Sequence, residues 1–194
     1  EVEISDALAQ KLEKIAATDA KKTVRAAAIE ALGSLKKDKY KDLFIKATKD
    51  SSYSVAGASL AALAEIDSKT ATEIATKLSK EPAKGKLATA ITDLLVKYGD
   101  ETAFDYVANT FEKMPLSQAK FEALKSFGDM IAKVKDIKQF KKGIDLIAAF
   151  RDSMPETYKA KVNQYINGMI FKEIIDKKTK EGATEMIDYV NSKI

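Results

Sequence analysis

The chain has 194 residues, with 33 Lys plus Arg against 29 Asp plus Glu, a formal net charge of +4, and no His, Cys or Trp. Imidazole and thiolate carry most nucleophilic, redox and zinc chemistry near neutral pH, so their absence removes those site types from this segment. Arg occurs only at Arg25 and Arg151, and the charges of both signs are interspersed, which argues against nucleic acid because guanidinium forks are the preferred readers of phosphate and base edges.

Hydrophobic residues make up 45% and charged residues 32%, with only 8 Gly and 3 Pro, the composition of a helical protein. No apolar run approaches the roughly 18 residues that a membrane span needs, so the reading is a soluble domain with no compartment assigned. The chain starts at Glu1 without a signal-peptide pattern, and is read as a piece of a longer protein.

From the N-terminus, apolar residues recur at helical spacing: Ile4, Leu8, Leu12 and Ile15, then Val24, Ala28, Ala31, Leu32 and Leu35, then Tyr40, Leu43, Phe44 and Ala47. Polar breaks at Asp19, Asp50-Ser51-Ser52, Asp67-Ser68, Asp100, Asp136 and Ser153 predict helix starts, since Asp and Ser accept from free backbone N–H groups. Ser153 with Glu156 has the spacing of a capping box. Pro82, Pro115 and Pro155 fall at such breaks, where a missing N–H costs nothing. The prediction is an all-α chain of about ten to twelve helices, paired antiparallel through short loops.

Sliding the sequence on itself by about 31 positions superposes Leu12 on Leu43, Asp19 on Asp50, Val24 on Val55, Ile29 on Leu60 and Leu32 on Leu63. A second step reaches Ile91 and Leu94, and a third, shorter step reaches Phe121 and Leu124. A period of this length is one helical hairpin, and hairpins that cannot bury both apolar stripes alone stack into a HEAT/ARM-like α-solenoid. The Ala-rich helices around 26–33 and 56–63 are expected to be the most buried, because small residues let helices approach closely. Past Asp100 the helices become aromatic and the register fades. Residues 1–194 are therefore read as one helical-repeat domain, with regular pairs over 1–99 and irregular pairs over 100–194, closed by a capping helix near 181–193.

Among candidate sites, Arg25 with Asp19 and Asp50 is read as a structural ladder between repeats in preference to an anion site. Arg151, at a helix end, is the one candidate for contact with substrate or a neighbouring domain. The Lys run at 133–142 and the trio Lys177, Lys178 and Lys180 read as solvated faces. No catalytic, cofactor or metal residue is proposed for this segment.

The stretch Asp19-Ala20-Lys21-Lys22-Thr23-Val24-Arg25, followed by Ala26 to Leu35, resembles a HEAT repeat of the bilin-lyase-like class. Tyr40-Lys41-Asp42-Leu43-Phe44 and Lys49-Asp50-Ser51-Ser52-Tyr53-Ser54-Val55 are similar to the C-terminal helical domain of bacterial zinc aminopeptidases of the aminopeptidase N (gluzincin) family, best over residues 12–66. Ala56 stands where the repeat pattern has Arg after Val55. This resemblance implies a non-catalytic C-terminal domain that packs on the catalytic domain of its own parent chain, closes the peptide chamber and meets peptide substrate only indirectly. The zinc would lie upstream on an HExxH helix, and without His no ligand of that metal can be placed here. The alternative is a HEAT-type scaffold that binds a protein partner. A helical-repeat DNA glycosylase is a third and weaker reading, given two Arg and no Trp.

Overall fold

A computed structural model describes residues 4–194, and no strand occurs among them. The chain divides into two compact units, the first ending at Tyr98 and the second running from Gly99 to Ile194.

The first unit is built from α1 (Asp6–Thr18), α2 (Lys22–Gly33), α3 (Lys41–Ala47), α4 (Tyr53–Ile66), α5 (Ser68–Leu78) and α6 (Gly85–Tyr98). They pair as α1 with α2, α3 with α4 and α5 with α6, and the second helices stack in a row with α4 between α2 and α6. The period in the sequence is this stack. Ile29, Leu60 and Ile91 are fully buried at equivalent positions, and Leu32, Leu63 and Leu94 lie buried one turn later. Stacking shows in the row itself: Val55 on the central helix, packed next to α2, is 1% exposed, while its equivalent Val24 on α2, with no earlier repeat among the described residues, is 37% exposed.

Close approach in the row depends on missing side chains. A Cβ at Gly57 would lie 2.5 Å from the Lys86 carbonyl carbon and 2.6 Å from the Leu87 nitrogen, so α4 and α6 touch backbone to backbone there. A Cβ at Gly33 would lie 2.7 Å from that of Ala62. Eight of the fourteen residues of α4 are buried, as the Ala-rich pattern predicts; α2, at the end of the row, buries five of twelve. Ser59, fully buried in α4, satisfies its hydroxyl by donating to the Val55 carbonyl at 2.8 Å.

The second unit contains α7 (Phe104–Lys113), α8 (Gln118–Ile131), α9 (Ile137–Asp152), α10 (Glu156–Tyr165), α11 (Lys172–Glu181) and α12 (Thr184–Asn191). A π-helical turn, Ile166–Phe171, joins α10 to α11. α9 packs against α7, α8, α10 and α12. The aromatic residues form the core: Phe111 stacks on Phe127 with centroids 4.5 Å apart, and Phe104, Phe140 and Phe171 are fully buried. The third repeat step is overturned at one of its two residues. Leu124 is buried, but Phe121 is 38% exposed, because the buried stripe of α8 continues through Phe127, Gly128 and Ile131 and leaves the preceding turn outside. On the last helix Met186 and Val190 are buried, and Ile187 is only partly covered.

Helix starts divide by chemistry. Asp67, Asp100 and Asp136 cap as predicted, accepting from the N–H groups of Thr70, Thr102 and Gln139. Asp19 and Asp50 sit one step further out and accept from Lys21 and Ser52 at 2.8 Å in each case, the same short turn in two successive repeats. Ser153 does not cap α10. It closes α9 instead, donating to the Phe150 carbonyl at 2.7 Å, and Pro155 opens the next helix with no side-chain cap. The capping-box spacing fails because the Met154 N–H donates back to the Arg151 carbonyl at 3.2 Å, which keeps Ser153 in the closing turn of α9, and the extended Pro155 alone opens α10.

Candidate functional site: a groove on the α2, α4 and α6 row

The second helices of the three hairpins present a common face, and along it runs a groove of about 450 Å³. Its floor consists of small residues, chiefly Gly33, Ala58, Ala61, Ala62 and Ala90. Helical spacing explains the floor: Ala58, Ala61, Ala62 and Glu65 recur at three and four residues and share one side of α4. Alanines that face the neighbouring helices permit the close packing, while Ala61 is exposed and opens the groove. The same small side chains thus serve packing on one flank and leave depth on the other.

Charged residues rim the groove. Glu30 on α2 pairs with Lys86 on α6, reaching across the slender middle of α4. Lys36, which follows α2 in a left-handed conformation with φ 49°, pairs with Glu65 at the far end of α4 at 2.6 Å. The Lys36 ammonium holds the Glu65 carboxyl below the usual carboxylate range. Asp93 on α6 lines the same groove and differs from both. It is exposed, accepts no hydrogen bond and meets no cation at ion-pair distance among the described residues, and desolvation by the neighbouring groove wall raises its carboxyl above the usual range.

Arg25 lies away from this groove, at the turns that precede α2 and α4. Its Nη2 donates to both Asp50 carboxylate oxygens at 2.9 and 3.1 Å, and its Nη1 donates to the Asp19 backbone carbonyl at 2.8 Å. The Asp19 side chain is turned to its own backbone and plays no part in the ion pair. With Arg25 and Asp50 side chains only 18% and 20% exposed, this is a part-buried fork joining two repeats. Among the described residues there is one such rung. The next position along the row is Ala56, which is buried and has no room for a guanidinium.

Arg151, at the end of α9, is 11% exposed on its side chain and donates to the Asn167 side chain at 2.9 Å, to the Lys193 carbonyl at 2.6 Å and to Asp152 at 2.8 Å. It ties α9 to the π turn and to the C-terminal segment, and its hydrogen bond holds the Asp152 carboxyl below the usual range. The Lys trio is corrected at one member. Lys178 is fully buried, donates to the Val134 carbonyl at 2.7 Å and to Glu181 at 2.8 Å, and lies over the Phe140 ring. Sequence spacing could not separate it from Lys177 and Lys180, because only the packing of α11 on α8 and its following loop decides which Lys points inward. In the other run, Lys141 pairs with Glu185 and Lys142 with Asp105.

Among the described residues no group of three or more His, Cys, Asp or Glu could hold a metal ion, and no helix is long and apolar enough to cross a membrane. The repeat geometry has a counterpart among known families. Residues 9–95 match HEAT repeats. The matched span begins in α1 and ends in α6, so the six-helix row is a HEAT-like helical-repeat unit and the second unit lies outside the match. No curated protein and no solved structure matches the chain.

Proposed function

We propose that the chain is a HEAT-repeat interaction scaffold that binds a protein partner in the groove along α2, α4 and α6. The observation that carries this reading is the groove itself: three stacked helices present a continuous small-residue floor, and a solenoid of stacked hairpins typically uses such an extended face for binding. Its HEAT-like identity and the charged rim agree with a polypeptide ligand. Substituting Ala61→Arg fills the groove at an exposed position without touching the core. Partners recovered by the wild-type chain should be lost with Ala61→Arg and kept with Lys11→Glu on α1; equal recovery by both variants would defeat the proposal.

The aminopeptidase reading rests only on the resemblance of residues 12–66. Its most distinctive segment, Asp50 to Val55, is accounted for locally: Asp50 receives Arg25 and the Ser52 N–H, and Val55 fills the core between repeats. A repeat stack needs those residues whether or not a peptidase domain accompanies it. An HExxH motif encoded upstream in the parent gene would restore that reading.

A further inference from the structure

We infer that the groove takes a Lys or Arg side chain of a partner peptide, its aliphatic stem on the alanine floor and its cationic head on Asp93. The inference deepens the scaffold reading and rests on it. Three acids line the groove, and two of them already have a lysine: Glu30 has Lys86 and Glu65 has Lys36. Asp93, exposed on α6, is the third, and among the described residues no cation lies at ion-pair distance from it. The groove lining thus carries three acids against two lysines, so a ligand that supplies a cation is favoured over an anionic one. The floor adds the second requirement. Ala58, Ala61, Ala62 and Ala90 offer methyl groups and no hydrogen-bonding side chain, a surface suited to the methylene stem of Lys or Arg. One side chain combines an apolar stem with a positive head, and the groove combines an apolar floor with a negative end.

Random short peptides displayed on phage are selected against the full chain, and individual clones are synthesised and titrated by fluorescence polarisation. Enriched clones should share a Lys or Arg. Replacing that residue by norleucine, or making Asp93→Asn in the protein, should each weaken binding about three- to fivefold, and the two changes together should weaken it no further than either alone. Ala61→Arg should abolish binding. Clones that are lost with Ala61→Arg yet are indifferent to Asp93→Asn would leave the groove as a docking site and overturn the cation assignment. Clones indifferent to Ala61→Arg, or no enriched clones at all, would overturn the scaffold reading and this inference with it.

Discussion

Gly57→Ala adds a single methyl group to the centre of the helix row, and its effect can be worked out from the contact it creates. The new Cβ would fall 2.5 to 2.7 Å from three backbone atoms of Lys86 and Leu87, against an ordinary van der Waals contact of 3.4–4 Å. These are main-chain atoms in the first turn of α6, so no rotamer change can relieve the overlap, and α4 and α6 must separate by about 1 Å at a cost of about 1–3 kcal/mol or more. Ala is a better helix former than Gly by about 1 kcal/mol, which offsets part of this. The net expectation is destabilisation of about 1–2 kcal/mol, read by urea denaturation followed by far-ultraviolet circular dichroism. Gly33→Ala provides the contrast. There the obstacle is the Ala62 methyl at 2.7 Å, so the double variant Gly33→Ala/Ala62→Gly should recover most of what Gly33→Ala loses. A Gly57→Ala protein with an unchanged or raised midpoint would refute the argument that backbone contact between α4 and α6 sets the spacing of the row.

Arg25→Lys keeps the charge but loses the fork to Asp50 and the bond to the Asp19 carbonyl, and should cost about 1 kcal/mol by the same denaturation assay. Lys178→Ala removes the donor to the Val134 carbonyl and opens a cavity beside Phe140, for a loss of about 2–4 kcal/mol. Lys178→Met keeps the packing and should lose no more than about half as much; equal losses would show that the hydrogen bonds, and not the filled volume, dominate. The Asp67 carboxyl is held far below the ordinary carboxylate range by Lys41 at 2.5 Å and by Thr70, so its stabilisation is complete above the unfolded pKa and is lost as pH falls toward the folded one. Asp67→Asn should therefore flatten the fall of stability with acid, and a parallel pH profile for the two proteins would contradict this assignment.

The sequence by itself determined the helical class and, in the first half, the register. A period near 31 is a local property of amphipathic hairpins, and each position that it superposed over Ile29, Leu60 and Ile91 is fully buried. It also located Asp67, Asp100 and Asp136 as helix caps, since capping needs only neighbours in the chain. It missed what depends on residues far apart. Ser153 and Glu156 have the spacing of a cap, but the turn from Arg151 to Met154 keeps Ser153 at the end of the previous helix. Lys178 reads as one of three surface lysines until the packing of α11 turns it onto Val134 and Phe140. The groove was hidden for the same reason. Its alanines are visible in the sequence as packing residues, but which side of α4 meets a neighbour and which meets open space is fixed only when α2 and α6 flank it. The unpaired state of Asp93 follows from that arrangement too: Glu65 finds Lys36 beside it and Glu30 finds Lys86 across α4, whereas Asp93 finds no lysine at ion-pair distance among the described residues.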